Sequence, residues 1–548
     1  MRLPRVFCAA GSCALAILGA GAAMPVTASP ARLPATVLIA PDIVRFDSPA
    51  ATGKPPTTAE CEHAFRIACY SPLQIRQAYG IPKLLARGVN GRGQTIVIVD
   101  SFGSPTVTHD LAVFDATYHV PAPPALTIIH PAGRVPAYQP TSDREGWAGE
   151  TSLDVEYAHA MAPGAKILVV ETPTSENEGT TGFPQIVKAE EFVINHHLGG
   201  VISQSFSTTE ETFPSKQSLL ALRGAYTDAA SQGVTVLAAA GDSGAADGRL
   251  TRSSYYLNPV TSWPDSDPLV TGVGGTQLRL NAAGQHTAPD QVWNDTGNVA
   301  TNEFIFGNHG PNPLAGGGGK SVIFSRPAYQ NGVRGVAGNS RGVPDIAMGA
   351  ACNGAVNVYQ SFKGDAPGWY QVCGTSEATP LFAGVVALAG QVAGHPLGLI
   401  NPWLYQLSAE HAPGLVDVVA GNNTVSFTQA GRRDTVRGFS AGPGYDLASG
   451  VGTINAPLFV SELASLRRQA GLRHVAPSGP AAPLTTVPPS HAATHHSSPR
   501  ARPVGQPPTR PLADRDHGIA VVPQPHFHDH VHFHCLLTAR WALCPVWT

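Results

Sequence analysis

The segment QVCGTSEATPLFAGV, residues 371–385, places Ser376 among small residues and directly before an apolar, alanine-rich run. A serine in this position can begin a helix as its N-cap, and Glu377 would suit the first helical turn. The same serine can instead be a nucleophile, which requires a base within reach, an oxyanion donor and a fold that joins separate segments. The choice between cap and nucleophile therefore depends on other polar residues of the chain.

A pair of acids upstream could supply the base. In GWAGETSLDVEYAHAMAPGAKI, residues 146–167, a helical interpretation places Glu150 and Asp154 four residues apart on one face. Two carboxylates at this spacing repel each other in neutral water unless one keeps a proton, and such shifted pKa values are frequent at catalytic sites. Paired acids on a solvated helix give the same spacing, so both interpretations stay open.

A third acid lies in a glycine-rich turn. Asp242 follows an apolar strand in AAAGDSGAADG, residues 238–248. In a purely structural interpretation, the side chain of Asp242 would accept hydrogen bonds from neighbouring backbone in the turn. A carboxylic acid that stays protonated can also donate a hydrogen bond to a developing oxyanion, which gives the residue a possible catalytic role.

Strand-like and helical segments alternate from CYSPLQIRQAYGI onward. The strand-like runs are TIVIVD, AKILVVET, GGVISQSFS and VTVLAAAGDSG, and patterns such as THDLAVFDATYHV and PQIVKAEEFVINHHL lie between them. Short, continuous apolar strands separated by helices predict an α/β fold with a parallel sheet covered by helices on both faces. Functional groups in such sheets lie at the carboxyl ends of strands, and four polar residues fall at or after such ends: Asp100, Ser207, Asp242 and Ser376.

Composition limits the classes of function. The chain has 548 residues, enough for a large catalytic domain with extensions, and 43% apolar residues can build its core. Charged residues make up 13%, about half the share of a typical soluble domain, and the formal net charge is −3. Because this balance provides no basic field, we expect no nucleic-acid partner.

The N-terminus predicts export. Residues 1–28, within MRLPRVFCAAGSCALAILGAGAAMPVTASP, combine two arginines, a short apolar run and small residues near a cleavage site, as secretory signal peptides do. A membrane anchor is the alternative, but the run is short and rich in glycine and alanine. We therefore expect a secreted, extracellular protein without a membrane partner after signal removal, in which residues 29–66 form a short leader.

Cysteine spacing agrees with an oxidising compartment. Six cysteines lie outside the predicted signal, and they form three sequence-local couples: Cys61 with Cys69, Cys352 with Cys373, and Cys535 with Cys544. Six cysteines allow fifteen pairings, of which we favour the local one. A bridge from Cys352 to Cys373 would brace the strand that leads to Ser376. A zinc site is the alternative, although no pair has the C-x-x-C spacing usual for zinc.

The C-terminal part has a different composition. Residues 468–525 are rich in proline and polar residues and predict a disordered linker. In the tail, residues 526–548, alternate positions carry histidine: His526, His528, His530, His532 and His534. An extended strand would place these imidazoles on one face, which could bind zinc, copper or nickel. A solvated, pH-sensitive tail without a dedicated metal is the equal alternative.

Three motifs in this order resemble the sedolisin, or serine-carboxyl peptidase, family. They are ETSLDVEYAHAMAP with Glu150 and Asp154, AAGDSG with Asp242, and CGTSEATPLFAG around Ser376. The resemblance spans roughly residues 68–462 of a predicted peptidase domain, residues 67–467, and includes GGGGKSVIFSRPAYQ, RGVPDIA and GPGYDLASGVGTIN. It implies a subtilisin-like sheet in which a glutamate replaces the catalytic histidine.

The resemblance also implies a role for each acid. Ser376 would be the nucleophile, Glu150 the general base, Asp154 the acid that orients and proton-links Glu150, and Asp242 the oxyanion-stabilising group. Asp100 would extend this network, as a further acid does in some relatives. A carboxylate with a reference pKa of about 4.3 remains a base where histidine would be protonated, so we expect a serine-type endopeptidase that acts in acid on peptides or proteins.

The family resemblance further implies one structural calcium ion. The matching positions lie in LVDVVAGNN and AGPGYDL, and they are Asp417, Val418, Gly442, Gly444 and Asp446. Two carboxylates and backbone carbonyls provide the oxygen ligands that this hard cation prefers. The alternative is that the glycines form a tight turn and Asp446 caps a neighbouring segment.

Two other functions compete with this interpretation. An ordinary subtilisin would need a catalytic histidine, usually in a His-Gly-Thr segment that this sequence lacks, and usually an asparagine where Asp242 stands. A secreted binding protein could retain the fold without catalysis, although all four assigned groups are present.

The sequence also departs from the family pattern in two places. About forty residues separate the predicted signal from the start of the resemblance, where relatives carry a sizeable prodomain, so zymogen control is in doubt. Glu377 stands where a small residue is usual. This carboxylate could shift nearby pKa values or could point to solvent from the first helical turn.

Overall fold

The computed structural model describes residues 44–47, 53–176, 181–249 and 252–475. The predicted signal peptide and the histidine-rich tail lie outside these ranges, as do Cys535 and Cys544 and any transition-metal site in the tail. The predicted leader contributes residues 44–47 and 53–66, and the first residues of the predicted linker, up to Val475, belong to the last helix.

The described residues form strands and helices that alternate over most of the chain. The strands are β1 Val44–Asp47, β2 Cys69–Tyr70, β3 Thr95–Ser101, β4 Leu126–Ile129, β5 Lys166–Thr172, β6 Val201–Gln204, β7 Thr208–Thr209, β8 Thr235–Ala239, β9 Gly248–Arg249, β10 Arg252–Tyr255, β11 Ser262–Trp263, β12 Thr271–Gln277, β13 Gln291–Val292, β14 Gly319–Ser325, β15 Ser340–Val343, β16 Ile346–Gly349, β17 Ala355–Gln360, β18 Gly368–Cys373, β19 Leu415–Val416, β20 Val425–Gln429, β21 Arg432–Val436 and β22 Thr453–Ile454. The helices are α1 Thr58–Phe65, α2 Pro72–Ala78, α3 Ile81–Leu85, α4 Val107–Tyr118, α5 Ser142–Met161, α6 Phe183–Asn195, α7 Lys216–Leu220, α8 Gly224–Gln232, α9 Val299–Phe306, α10 Arg334–Ala337, α11 Thr375–Ala393, α12 Asn401–Ala409 and α13 Ala456–Val475. No helix of this described part is long and apolar enough to cross a membrane.

A mostly parallel sheet forms the centre of the fold. Its eight strands include the parallel run β4-β5-β3-β6-β8-β12, to which β16 adds in parallel and β13 in antiparallel fashion, both against β12. The predicted strands therefore pair with one another as expected from their continuous apolar runs. The segment KQSLLALRGAYTDAASQG, residues 216–233, lies between β7 and β8 and is divided into α7 and α8.

Both faces of this sheet are covered, as the sequence predicted. Along β3, Ile96 and Ile98 pack into a core with residues of α5 and α11, whereas Val97 and Val99 pack into a second core with residues of α6 and α8. All four side chains are fully buried. The uninterrupted apolar run TIVIVD is explained by this double burial, since successive side chains of a strand point to opposite faces.

Helices α5 and α11 lie very close together under the sheet. A Cβ atom on Gly384 of α11 would lie 2.4 Å from the Cβ of Met161 and 3.1 Å from the carbonyl oxygen of Ala158, both in α5. Because real Cβ atoms do not approach other atoms this closely, only glycine fits at this crossing. The close packing brings the first turn of α11 next to the middle of α5.

A second, four-stranded sheet carries the chain into α11. Its order is β1-β18-β17-β2, and β18 ends at Cys373, three residues before Ser376. The strand that precedes Ser376 therefore lies outside the parallel sheet, unlike those that precede Asp100 and Asp242. In this sheet β1, from the predicted leader, pairs antiparallel with β18, with Val44 opposite Cys373.

Two disulfides confirm the predicted local pairing for the described cysteines. Cys61 of α1 is bonded to Cys69 of β2, and Cys352 is bonded to Cys373 at the end of β18. The zinc alternative is therefore wrong for these four residues, because each sulfur is already in a covalent bond. The second bridge fixes the strand end from which the chain turns into α11.

Candidate active site

Helix α5 places Glu150 and Asp154 on a face that points into the protein. Both side chains are fully buried, with 0% exposure. The solvated-helix interpretation of this pair is therefore wrong. The carboxylate oxygens of Glu150 accept no hydrogen bond from the described residues, and Asp154 accepts one, at Oδ1, from the hydroxyl of Ser205 at 2.9 Å.

Ser376 is the second residue of α11 and does not cap it. The N-cap is Gly374, whose φ of 132° lies in a region that favours glycine, and it provides no side-chain cap. The N-cap interpretation of Ser376 is therefore wrong. Its hydroxyl donates to the backbone oxygen of Ser205 at 3.4 Å, and the residue is fully buried in this ligand-free state.

Asp242 holds the start of α11. Its Oδ1 accepts hydrogen bonds from the backbone N–H of Thr375 at 2.7 Å and from the Thr375 hydroxyl at 2.8 Å. The N–H of Gly241 donates in turn to that hydroxyl at 3.1 Å. Oδ2 of Asp242 accepts nothing from the described residues, so this oxygen can serve a ligand. The side chain makes a long-range contact, whereas turn chemistry alone would use neighbouring backbone.

Burial determines the protonation of the Glu150–Asp154 pair. It raises the pKa of Glu150 well above its ordinary value, and nearby Asp154 and Asp100 raise it further, whereas the Ser376 hydroxyl opposes the shift. Burial also raises the pKa of Asp154, with a further increase from Asp100, whereas the Ser205 hydroxyl and the neighbouring Glu150 carboxyl oppose the shift. Because like charges in one buried cluster repel, the pair loses its protons in separate steps.

Asp242 keeps its proton over a wide range of pH. Burial raises its pKa to about 8, although the two hydrogen bonds from Thr375 favour the charged form. The side chain is therefore protonated throughout acidic and neutral conditions. Oδ2 is free of protein donors, so a protonated Asp242 can donate a hydrogen bond to an oxyanion there.

Asp100 extends the acid cluster along β3. Burial raises its pKa to about 7, with an increase from Glu171 and an opposing hydrogen bond from Thr151. Glu171 lies directly opposite Asp100 on β5 and contacts His130, whose Nε2 is 2.7 Å from its carboxylate. The cluster thus runs from Glu150 toward a half-exposed histidine at the sheet edge.

Ser207, also predicted at a strand end, does not join the cluster. It lies after the carboxyl end of β6, and its hydroxyl makes no hydrogen bond within the described residues. Ser205 and Thr375 make the contacts that sequence reasoning missed. Ser205 directly follows β6, and no sequence motif singled it out.

Two motifs of the resemblance support the site without taking part in it. Gly317 of the glycine run donates its N–H to the carbonyl of Gly241 at 2.7 Å, and a Cβ there would lie 1.8 Å from the carbonyl oxygen of Ala240. In RGVPDIA, Arg341 and Asp345 form a fully buried ion pair with a 2.7 Å contact. The first motif shapes the Asp242 turn, and the second stabilises the core.

The residues predicted to bind calcium lie around one turn. Asp417 accepts a hydrogen bond from the N–H of Gly444 at 2.9 Å, and Asp446 accepts one from the N–H of Gly442 at 3.1 Å. The backbone N–H groups of Ala448 and Ser449 also donate to Asp446, as the capping alternative expects. The described residues contain no group of three or more His, Cys, Asp or Glu that could hold a metal. Backbone carbonyls would have to complete any calcium site here.

Glu377 is buried beside the nucleophile. Only 1% of its surface is exposed, and neither carboxylate oxygen has a hydrogen-bond partner among the described residues. The alternative that it points to solvent is therefore wrong. Burial raises its pKa well above the ordinary value of 4.5, and the charge of Asp242 adds to this effect.

We predict that Glu377→Gln stabilises the protein increasingly as pH rises. The folded state keeps the Glu377 proton that the unfolded state releases above pH 4.5, so this carboxyl lowers stability progressively above that pH. The amide has no proton to lose, and it removes a penalty that grows by about 1.4 kcal/mol for each pH unit between the unfolded pKa and the raised folded pKa. Thermal unfolding in acidic and alkaline buffers measures the difference.

The exposed Glu410 provides the control for this prediction. Glu410→Gln removes a carboxyl from an exposed position, so the comparison isolates the effect of burial. A Glu377→Gln effect that is independent of pH would contradict the argument, because it would show that the carboxyl ionises equally in the folded and unfolded states.

The assembled groups can perform acyl transfer. A serine hydroxyl lies at a helix start beside a carboxyl pair that can accept its proton, and a protonated acid lies on the same helix start. No histidine among the described residues hydrogen-bonds to Ser376. A nucleophile, a base and an oxyanion donor are the three components that such chemistry needs.

Comparison with known proteins gives consistent results. The Subtilase family matches residues 132–403. Kumamolisin from Bacillus sp. (strain MN-32) is 34% identical over 390 residues, which is 70% of this chain and 62% of kumamolisin. Sedolisin from Pseudomonas sp. (strain 101) is 29% identical over 339 residues, 61% of this chain and 51% of sedolisin. Tripeptidyl-peptidase 1 from Homo sapiens is 29% identical over 335 residues, 58% of this chain and 52% of that protein. The chain thus spans between 51% and 62% of the length of these relatives.

A solved structure shows the same fold. It is the Pseudomonas sedolisin, a serine-carboxyl proteinase, in complex with two molecules of pseudo-iodotyrostatin. It superposes with a TM-score of 0.58 at 24% sequence identity and covers 74% of this chain and 99% of its own. The predicted subtilisin-like fold is therefore confirmed.

Proposed function

This chain belongs to the sedolisin family, and on that premise we propose that it is a secreted serine-carboxyl endopeptidase that hydrolyses peptide bonds in peptides or proteins. The observation that supports this most directly is the convergence of Ser376, the Glu150–Asp154 pair and Asp242 in one buried cluster. These groups come from the two helices α5 and α11 and from the turn after β8. A shared structural role would not require a fully buried carboxyl pair beside a serine.

In the proposed reaction, Ser376 attacks the peptide carbonyl while Glu150 accepts its hydroxyl proton. Asp154 holds Glu150 and shares its proton. The oxyanion of the tetrahedral intermediate accepts a hydrogen bond from protonated Asp242. Glu150 then returns the proton to the leaving amine, and water resolves the acyl-enzyme with Glu150 again as base.

We also propose that the enzyme acts in acid and that its rate falls at both lower and higher pH. On the acidic side, the rate follows the first ionisation of the Glu150–Asp154 pair, which burial moves upward from the reference value used for an isolated carboxylate. On the alkaline side, the rate falls when Asp242 loses its proton at about pH 8. The profile is therefore expected to be bell-shaped.

Secretion is proposed together with the activity. The predicted signal, residues 1–28, and the two disulfides of the described residues favour an oxidising compartment outside the cytosol. An extracellular peptidase would meet its protein substrates there.

We predict that cleavage depends wholly on Ser376. The secreted product should cleave a denatured protein and a mixed peptide library in acidic buffers, and Ser376→Ala should reduce kcat/KM by a factor on the order of 10⁴ or more. Ser203→Ala provides a control, because this buried serine of β6 has a hydroxyl without a hydrogen bond in the described residues. Folded protein without Ser376-dependent cleavage at any pH would favour the non-catalytic binding protein instead.

Asp242→Asn should remove the alkaline fall in activity. An amide cannot lose its N–H, so it remains a donor above pH 8, where the carboxyl becomes a charge that repels the oxyanion. We expect kcat/KM of this variant to stay level from neutral to alkaline pH, whereas the wild-type value declines. Asp242→Ala, which has no donor, should lose about 10²–10³ in kcat at every pH. An alkaline limb that persists in Asp242→Asn would contradict this role.

We also propose that calcium binds at the turn that contains Gly442 and Gly444. The carboxylates of Asp417 and Asp446 both contact this turn, and Val418 would add a carbonyl oxygen. These are oxygen donors, which suit Ca²⁺. When bound, the ion would stabilise the turn, at a distance in sequence from the catalytic groups.

Calcium removal should therefore lower the unfolding temperature. Saturation at 100 times Kd is worth about 2.7 kcal/mol, so adding Ca²⁺ after chelation should restore stability in the wild type. Asp417→Asn should weaken this response, whereas Asp434→Asn, on β21, should retain it. Equal unfolding temperatures of the wild type with chelator and with Ca²⁺ would support the turn-and-cap alternative.

A further inference from the structure

Ser205 touches both halves of the proposed catalytic machinery. It directly follows β6 and is fully buried. Its hydroxyl donates to Oδ1 of Asp154 at 2.9 Å and lies 3.4 Å from the backbone oxygen of Ser376. Its own backbone oxygen accepts the hydrogen bond from the hydroxyl of Ser376 at 3.4 Å.

The hydroxyl of Ser205 has one proton, and the shorter contact assigns it to Asp154. Oδ1 of Asp154 is then an acceptor and does not carry the proton of the acid. Oδ2 has no hydrogen-bond partner in the described residues, so it is the oxygen that can share a proton with Glu150. A single hydrogen bond thus decides which oxygen of Asp154 serves the base.

The backbone carbonyl of Ser205 contacts the nucleophile Ser376. In the ligand-free state the nucleophile donates to this carbonyl, and Glu150 accepts no hydrogen bond. The hydroxyl of Ser376 thus contacts the carbonyl of Ser205 and also acts on the carboxyl of Glu150. The carbonyl of Ser205 therefore helps to hold the nucleophile next to the base in the resting state.

We propose that Ser205 is a positioning residue of the serine-carboxyl site: its hydroxyl orients Asp154 toward Glu150, and its carbonyl holds the hydroxyl of Ser376 until substrate binds. This inference rests on the proposed peptidase function. The hydroxyl of Ser205 acts through Asp154, and its backbone oxygen contacts the hydroxyl of Ser376.

The charged groups around Asp154 set the direction of any pH effect. Asp154 faces Glu150 on its own helix, Asp100 from β3 and Ser205 after β6, and Glu150 also faces Asp242 from the turn after β8. The acids disfavour ionisation of the pair, whereas the hydroxyl of Ser205 stabilises the charged form of Asp154. Loss of this hydroxyl should therefore move the first ionisation of the pair to higher pH.

Ser205→Ala tests the role of the hydroxyl and leaves the backbone carbonyl in place. We expect kcat to fall by a factor on the order of ten to one hundred, as for loss of a hydrogen bond to a charged group, with KM within about twofold. The acidic limb of kcat/KM should shift to higher pH. Ser205→Thr, which keeps the hydroxyl, should restore the position of that limb.

Ser203→Ala is the matched control. Ser203 lies on β6, two residues before Ser205, and is equally buried, but its hydroxyl makes no hydrogen bond in the described residues. Its removal should leave kcat, KM and both limbs of the profile unchanged. Ser205→Cys, a near-isosteric change to a weaker donor, replaces Ser205→Ala if the alanine variant does not fold.

Two outcomes would overturn this inference without overturning the proposed function. Equal profiles of Ser205→Ala and Ser203→Ala would overturn the positioning role, even with an active enzyme. A lower kcat without a shift of the acidic limb, not restored by threonine, would also overturn it and indicate a structural role.

Absence of Ser376-dependent cleavage in the wild type would instead overturn the proposed function. The contact with Asp154 then remains testable by thermal unfolding. Ser205→Ala, compared with Ser203→Ala, should lose more stability at alkaline pH, where Asp154 of the wild type ionises, than at acidic pH, because the variant keeps the Asp154 proton to higher pH. A difference that does not vary with pH would overturn the role of Ser205.

Discussion

The removal of several carboxyl groups from water is the constraint on which the rest of the site depends. Glu150, Asp154, Asp242 and Glu377 are nearly or fully buried around the first turn of α11. No described cation lies among their hydrogen-bond partners, so burial raises the pKa of each one. The cluster therefore holds protons at pH values where isolated carboxyls have lost them.

The fold maintains this arrangement through close packing and few direct bonds. Gly384 allows α11 to lie against α5, which brings the nucleophile near the acid pair. The bridge from Cys352 to Cys373 fixes the strand end before α11, and Asp242 binds the first N–H of the helix through Thr375. The disulfide and the contact of Asp242 both act at the first turn of α11. The carboxyl pair itself is fully buried with one hydrogen bond among the described residues, from Ser205 to Asp154.

The structure changes the interpretation of the sequence most for the protonation of Glu150 and Asp242. A glutamate base was expected to work in acid because its reference pKa is low. Burial raises the pKa of Glu150 instead, and coupling to Asp154 and Asp100 separates the ionisation steps. For Asp242 the same effect supports the proposal, since a pKa of about 8 keeps the hydrogen-bond donor at acidic and neutral pH. Burial thus favours the protonated form that Asp242 needs as an oxyanion donor, and it disfavours the ionised form that Glu150 needs as a base.

The sequence by itself determined the fold class and the acids of the site. Continuous apolar runs such as TIVIVD predicted a sheet covered on both faces, and the spacing of Glu150 and Asp154 predicted a shared helix face, because both patterns follow from local geometry. Only the tertiary structure decided that Glu377 is buried and that Ser205 joins Asp154 to Ser376. Ser205 and Ser376 lie 171 residues apart, and their contact depends on where β6 ends relative to α11. Burial and long-range contacts of this kind arise from packing between elements, which no local pattern encodes.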